Sequence, residues 1–317
     1  MNPKKQAFIH KFGLPIGLLA IILIIQAVQP SVPLLSLLNI KNILLQTVSV
    51  FLAALGLSYI MISGEGDMSF AGMFSMLSVV FAIMANRTNS FFISILIALA
   101  CALLVNMIIV FLVAQYRFSS FIVSIAFMFM ATGIEKALHQ QTTLITNTRI
   151  TAFSKVSFGL PVVVLIMFLL YILSYIIINK TKFGFSLRVV GENENAAVEA
   201  GMNRKKLKVA AYIIAAILLA LGASIESTRV GAIYEQGKYY MLPVFAACYL
   251  GSSMFVPGRI NIAGTFVGAL FMGVADNFMK MMNFDTYIIS IVQGCVLILS
   301  VGLASFKHRN KIQQVKI

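Results

Sequence analysis

Long apolar stretches separated by short polar intervals run through most of this chain. A helix needs about 20 predominantly apolar residues to cross the hydrocarbon core of a bilayer, and most of the stretches approach that length. We predict spans at Gly13–Gln29, Lys41–Ile62, Ser69–Ala85, Phe91–Ala114, Phe118–Leu138, Phe158–Asn179, Leu207–Thr228, Asn261–Met279 and Tyr287–Phe306, with a half-helix or sharply tilted helix at Met241–Leu250. The pattern predicts an all-α polytopic membrane protein of about ten transmembrane or half-membrane helices, in a single domain over residues 1–317.

Composition and charge support this class and set the orientation. Of the 317 residues, 60% are hydrophobic and 11% charged, whereas a soluble domain carries about 25% charged residues. In a membrane protein, basic residues near the spans set topology, so the net charge of +14 does not indicate nucleic-acid binding. Most of the 24 lysines and arginines fall on one side if the N-terminus is inside. The sequence therefore predicts a cytoplasmic N-terminus and C-terminus.

The longest polar interval, Lys180–Lys208, lies on the cytoplasmic side in this topology. Within it, Asn193 is a typical N-cap, and Gly201 can end a short helix in the left-handed conformation. A helix this short is unstable alone in water, so it is expected to dock on a partner. The predicted docking helix comprises Asn193, Glu194, Ala196, Ala197, Val198, Glu199 and Gly201. The alternative, an ordinary solvated loop, stays open at this point.

The first interruption of the apolar pattern is Gly-Glu-Gly-Asp-Met-Ser at residues 64–69. Irregular backbone at membrane depth is tolerated only where protein or a water-filled cavity covers it. We expect Asp67 to cap the following helix by accepting from its free N–H groups. Direct solute contact and a surface position at the cytoplasmic edge are the alternatives. The residues of this break that we single out are Gly64, Gly66, Asp67 and Ser69.

A second interruption lies between Leu250 and Ala269, where a short helix ends and a Pro-Gly turn follows. Gly264 and Gly268 have the spacing that lets two helix backbones approach closely. Ordinary helix packing and solute contact both explain the pattern. The residues singled out here are Gly251, Gly264 and Gly268. Breaks in both halves of a chain are typical of transporters built from repeats, although no internal sequence repeat is evident.

The sequence contains no recognisable catalytic or metal-binding pattern. The chain has no phosphate-binding Walker loop and no zinc-protease or nucleophile-elbow motif. Its histidines are too scattered to bind a metal together, and its cysteines lie far apart in apolar segments. These residues are His10, His139, His308, Cys101, Cys248 and Cys295. We therefore predict a non-enzyme with no catalytic residue, metal or cofactor.

Charged residues within the apolar segments are few and stand near helix ends: Glu135 beside Lys136, Glu226 three residues before Arg229, and Asp276. An ion-coupled secondary transporter usually keeps ionisable groups deep in the helix bundle. The pattern does not favour such a transporter, which remains the alternative function.

Several short patterns together resemble a known family. They are Thr181, Gly184, Arg188, Gly191, Asn193, Ala196, Ala197, Gly201, Met202 and Asn203, followed by Lys206, Tyr212, Gly222, Glu226 and Gly231. With the two breaks, they resemble the permease subunits of bacterial ABC importers for ribose and similar sugars, which share their architecture with branched-chain amino acid permeases. The resemblance extends from about Asn39 to Leu303. The chain departs from the family pattern at Glu65, where a glycine is usual, and at Phe255 and Pro257.

The resemblance implies a multi-pass transport subunit of the bacterial cytoplasmic membrane, which lines the path of a sugar or sugar-like polar solute near the two breaks. It implies cytoplasmic ATPase subunits that hold the docking helix and perform the ATP hydrolysis. It also implies a second copy of the permease or a related one. An extracytoplasmic solute-binding protein would act at the outer loops His139–Ser157 and Val230–Tyr240.

Overall fold

A computed structural model describes residues 35–154, 159–255 and 258–314, with side chains up to residue 302. Within these residues the fold is all-α, and the one β-type contact is an isolated bridge between Thr143 and Ala232. The helices, numbered here in chain order, are α1 Leu37–Ile62, α2 Ser69–Thr88, α3 Phe91–Tyr116, α4 Ser120–Leu138, α5 Thr148–Thr151 with a 3-10 turn at Ala152–Ser154, α6 Val162–Lys180, α7 Lys182–Glu192, α8 Glu194–Glu199, α9 Arg204–Val230, α10 Gly237–Ser252, α11 Ile262–Met281 and α12 Thr286–Gln314.

Seven of these helices are long and apolar enough to cross a membrane: α1, α2, α3, α4, α6, α9 and α11. Each coincides with a predicted span. The short helix expected at Met241–Leu250 is α10, whose 16 residues extend about 24 Å, less than a bilayer core. α12 has an apolar part from Thr286 to Gly302. The first predicted span, Gly13–Gln29, lies outside the described residues.

α1 is the central helix of the bundle. It packs against α9, α11, α10 and α6, and 78% of its most apolar 18-residue stretch is buried. Phe51 of α1 meets the ring of Phe266 of α11 edge to face with centroids 5.2 Å apart, and Tyr171 of α6 stacks on the same ring. Aromatic pairs of this kind add stability beyond the area they bury. The core therefore joins the first and second halves of the chain.

Three helices form the periphery. Only 22–28% of the most apolar 18-residue stretch of α3, α4 and α6 is buried, although these stretches are as apolar as those of the central helices. Large apolar side chains such as Phe92, Leu104 and Leu169 are exposed there. A soluble protein rarely exposes so much contiguous apolar surface, so these faces are the surface that contacts lipid.

The loops segregate to two ends of the bundle. At one end, the N–H of Gly66 donates to Ser120 Oγ (3.2 Å), and Lys205 donates to Gln115 (2.7 Å). At the other end, Thr143 and Ala232 form their bridge. We call these the inner and outer ends, following the predicted topology. Among the described residues, the loops around Arg117 and Arg259 and the polar interval Lys180–Lys208, all assigned to the cytoplasm from charge, lie at the inner end.

Candidate functional site

The short helix predicted within the polar interval is present and is α8. Asn193 Oδ1 accepts from the N–H of Ala196 at 3.0 Å, which is the hydrogen bond of an N-cap. At its other end, Gly201 has φ of +78°, a conformation that side-chain-bearing residues rarely adopt. The N–H of Met202 then bonds back to the carbonyl of Ala197 at 2.9 Å. Both ends of this six-residue helix are thus held by its own sequence.

The two faces of α8 differ from the expectation. The sequence predicts Ala197 on one partner-facing side with Val198 and Ala200, but Ala197 is fully buried within this chain. Val198 is 49% exposed, and Ala196, Glu199 and Ala200 are exposed beside it. α8 therefore rests on its own chain through Ala197 and presents Val198 outward. The i,i+1 neighbours of a helix point in different directions, which is why the two residues cannot share one face.

A charge cluster fixes α8 to the rest of the molecule. Lys208 of α9 is buried, and its Nζ lies 2.6 Å from Glu194 of α8 and 2.6 Å from Glu65 in the first break. Arg204 also pairs with Glu194. Two carboxylates around one lysine satisfy a charge that would be costly to bury alone. The cluster joins the two segments that the sequence singled out separately.

The ionisation of Glu194 follows from this setting. Partial burial raises the pKa of its carboxyl, but hydrogen bonds and charge attraction from Lys208 and Arg204 outweigh that effect and lower the pKa below its usual value. Glu194 is therefore held as the carboxylate, the form that binds both cations.

The first break also touches the end of α7, just before α8, through its backbone. Gly64 has φ of +86°, and a Cβ built on it would stand 3.0 Å from Gly191. A Cβ on Gly191 would stand 2.1 Å from the carbonyl oxygen of Ile62, closer than atoms can approach. The end of α1 and the end of α7 therefore meet backbone to backbone, with no side chain between them.

Within the break, Asp67 is buried and its Oδ1 accepts from the N–H of Ser69, the first residue of α2, at 2.7 Å. This is the interaction expected of a helix cap, although the cap position itself is Met68. The burial excludes the surface position considered as an alternative. Ser69 is buried as well, and Gly66 is exposed.

The glycines of the second break pack two helices together. A Cβ on Gly264 would stand 2.2 Å from the carbonyl oxygen of Gly251, and one on Gly268 would stand 2.3 Å from that of Ala247. Asn261 ties the same place, since its Oδ1 accepts from the N–H of Gly264 (2.7 Å) and its Nδ2 donates to Gly251 (3.0 Å). These contacts are those of close packing between α10 and α11, which is the helix packing that the glycine spacing predicts.

One element of this region was not predicted. Residues assigned to a polar loop form α7, which begins where the Thr181 side chain accepts from the N–H of Gly184. Phe183, Leu187 and Val190 recur at the spacing of an apolar helix face. The basic residues between and around them made the stretch read as a polar loop. α7 also reaches the second break, since Glu192 pairs with Arg259 at 3.0 Å.

At the outer end the charged pairs differ in part from the expectation. Lys136 pairs with Glu235 (2.8 Å) and not with its neighbour Glu135. The Glu135 side chain instead accepts from the N–H of Glu235 at 2.7 Å. These contacts, with the Thr143–Ala232 bridge, hold the two outer loops against each other. Arg229 pairs with Glu226 as expected.

Comparison with known proteins decides the family. Residues 39–301 match the model of a family described as branched-chain amino acid transport system, permease component. The chain belongs to this family. The permease is a transport subunit of the bacterial cytoplasmic membrane and not an enzyme, as the sequence predicted.

Individual relatives give the same result. The permease is 28% identical over 299 residues to the ribose import permease protein of Bacillus subtilis, covering 93% of this chain and 92% of the relative. It is 26% identical over 319 residues to the galactose/methyl galactoside import permease protein of Haemophilus influenzae, with coverage of 93% and 94%. A xylose transport system permease protein of Escherichia coli is 33% identical over 152 residues, 48% of this chain and 39% of the relative. No solved structure matches the chain.

Proposed function

We propose that this permease forms the path of an ATP-driven importer for a sugar or a sugar-like polar solute. Relatives named for ribose and galactose import match 93% of the chain, and one named for xylose transport matches 48%. The chain carries no nucleotide-binding loop of its own. Two permease copies, or this one and a related one, enclose the path. Cytoplasmic ATPase subunits supply the energy, and a solute-binding protein delivers solute at the outer loops.

The observation that carries the proposal is the construction of α8. It is capped at both ends, fixed through Glu194 to the buried Lys208, and exposes Val198 at the inner end. An exposed apolar residue on a short rigid helix fits the groove of a partner protein. In this proposal the ATPase grips α8 through Val198 and the residues beside it.

The contacts around α8 suggest how ATPase movement reaches the path. Lys208 connects α8 to Glu65, and Gly191 of α7 touches Gly64. Displacement of α7 and α8 would therefore shift the start of α2. Glu192 and Arg259 provide a second connection to the break between α10 and α11. We propose that both breaks act at the inner end of the path as joints and not as solute contacts.

The test is a charge placed on the exposed face of α8. Val198→Asp should release the ATPase and abolish uptake, because the carboxylate would have to lose its water in the groove. The permease should still insert and fold, since residue 198 is exposed in the isolated chain. Asn195→Asp, which adds the same charge at an exposed polar position of α8, is the matched control. Co-purification of the ATPase with the permease and solute uptake are measured for both variants.

Retention of the ATPase and normal uptake by Val198→Asp would show that α8 is a solvated loop element. An ion-coupled transporter, the alternative from the sequence, would also import without any ATPase. The co-purification therefore separates the two functions, and the paired charges at the outer end give no support to the ion-coupled one.

A further inference from the structure

A cavity of about 290 Å³ opens at the inner end, where the ends of α1 and α7 face the start of α11. Apolar side chains such as Met61 and Ile260 form part of its wall, and charged residues of α7 and of the turn before α11 form the rest. Cavities that enclose whole small molecules begin at about 300 Å³. This cavity therefore has room for one small chemical group and little more.

The charges that line this cavity do not cancel. Arg259 pairs with Glu192 at 3.0 Å, and both side chains are exposed, so this ion pair is weak. Arg188 donates to Asn179 Oδ1, a neutral acceptor, at 2.6 Å, and no ion pair among the described residues includes it. Two guanidinium groups and one carboxylate therefore leave one positive charge in excess in the described lining.

The two arginines disfavour each other's charge. Partial burial and the nearby charge of Arg259 lower the pKa of the Arg188 guanidinium below its usual value, and the attraction of Glu192 offsets only part of this effect. An arginine nevertheless stays protonated at physiological pH, so Arg188 is a partly desolvated cation beside a like charge. An anion bound by both guanidinium groups would replace lost hydrogen bonds with water and weaken the repulsion.

Among anions, a phosphate group suits this arrangement best. A guanidinium binds phosphate through two parallel N–H···O bonds, and the several oxygens of one phosphate let two arginines from different segments bind it together. The Asn261 side chain, which also borders the cavity, is already bonded within the chain to Gly264 and Gly251. Recognition therefore depends on the two guanidinium groups.

We propose that this cavity binds a phosphate group, which Arg188 and Arg259 hold together at the inner end of the permease. The phosphate belongs either to the headgroup of an anionic phospholipid of the inner leaflet or to a soluble phosphate ester of the cytoplasm. Bound there, it connects α7 with the turn before α11, beside the ion pair of Glu192 with Arg259. The inference goes beyond the proposed function and does not depend on which solute the permease carries.

Chemical modification of the arginines tests the binding directly. The purified permease, freed of lipid in dodecyl maltoside, is treated with phenylglyoxal, and mass spectrometry measures the modification rate of each arginine. Inorganic phosphate or D-ribose 5-phosphate should slow the reaction of Arg188 and Arg259 several-fold if the ligand is soluble, and phosphatidylglycerol should do so if it is a lipid. Arg117, exposed at the inner end and outside the cavity lining, should react at an unchanged rate.

Two substitutions test whether the arginines act together. Arg259→Gln changes an exposed side chain and should abolish the protection of Arg188, because one guanidinium alone holds the phosphate weakly. Arg188→Gln should likewise abolish the protection of Arg259. Arg117→Gln is the matched control and should leave the protection of both unchanged. Thermal unfolding of each variant without ligand verifies that it is folded.

Protection by a soluble phosphate, by phosphatidylglycerol or by both supports the inference and identifies the source of the phosphate. Absence of protection overturns it, as do equal effects of sodium chloride at matched ionic strength or of phosphatidylcholine, or equal slowing at Arg117. Protection by the co-purified ATPase, with no effect of either phosphate source on the permease alone, would assign the arginines to the subunit interface and overturn it too. None of these measurements involves transport, so the proposed function stands or fails separately.

Discussion

A single side chain stabilises the start of α2. Asp67 supplies the acceptor for the N–H of Ser69 at 2.7 Å, and it is buried within the break. The first N–H groups of a helix have no partner inside the helix, so this bond compensates one of them. We expect the residue to provide an acceptor atom here and not a charge.

Replacement of Asp67 separates these two requirements. Asp67→Asn keeps an acceptor oxygen and should change stability little, whereas Asp67→Leu should lower the free energy of unfolding by about 1 kcal/mol or more. Thermal unfolding of the purified permease measures the difference, and uptake by membranes with equal permease levels measures function. Equal and severe loss of uptake in both variants would instead assign the carboxylate charge a role of its own.

At the scale of the residue, the sequence predicted caps well. Asn193, Gly201 and Asp67 all make the local contacts expected of them, because a cap depends on atoms within a few positions along the chain. The orientation of Ala197 was wrong, because the side on which a short helix rests depends on distant residues. Lys208 was counted only as a positive charge, since Glu65, its partner, lies 143 positions away.

At the scale of the element, α8 and the first break are connected through α9. Lys208 neutralises Glu65 and Glu194, and the Lys208 side chain is only 5% exposed, compared with 15% and 33% for the two acids. Glu65 stands where the similar family usually has glycine. The connection adds to the backbone contact of Gly64 with Gly191.

Removal of the lysine should break this connection. Lys208→Met leaves two carboxylates close together without their shared cation, and should lower stability by roughly 2 kcal/mol, less than a fully buried pair because Glu194 is partly solvated. Uptake should fall further than stability explains. Lys206→Met, which removes an exposed lysine from the same helix, should leave both nearly unchanged. Thermal unfolding and uptake are measured side by side, and equal effects of the two substitutions would disprove the connection.

The helices themselves were predicted to different degrees. The spans found by composition became α1, α2, α3, α4, α6, α9 and α11 because apolar runs of this length have few alternatives in a bilayer. α7 was missed because its apolar positions are diluted by charge. At the second break the sequence favours helix packing over solute contact, and the approach of Gly264 to Gly251 shows the packing.

At the scale of the whole molecule, the two ends carry different surfaces. The segment that contains α7 and α8 lies at the inner end, and at the outer end Glu235 joins the last turns of α4 to the loop after α9. Such alternation of loops requires that successive spans run in opposite directions. Sequence alone predicted this order from basic residues, but not the contacts between loops, since these join residues far apart in the chain.

Labelling from the two sides of the membrane tests the orientation. An impermeant thiol reagent applied from outside should modify a cysteine at Thr146 and spare one at Asn195, since both positions are exposed but lie at opposite ends. After the membrane is made permeable, Asn195→Cys should react as well, which controls for intrinsic reactivity. Modification of Asn195→Cys in sealed cells together with protection of Thr146→Cys would reverse the whole topology.

Two helices of the lipid-facing periphery, α3 and α4, differ in length. α3 contains 26 residues and α4 contains 19, so they extend about 39 Å and 28 Å beside a hydrocarbon layer about 30 Å thick. The shorter helix matches the layer, while the longer one must tilt, or the acyl chains around it must stretch. The hydrophobic mismatch between protein and bilayer therefore differs around this subunit. A change in membrane thickness should affect the tilt of α3 more than that of α4.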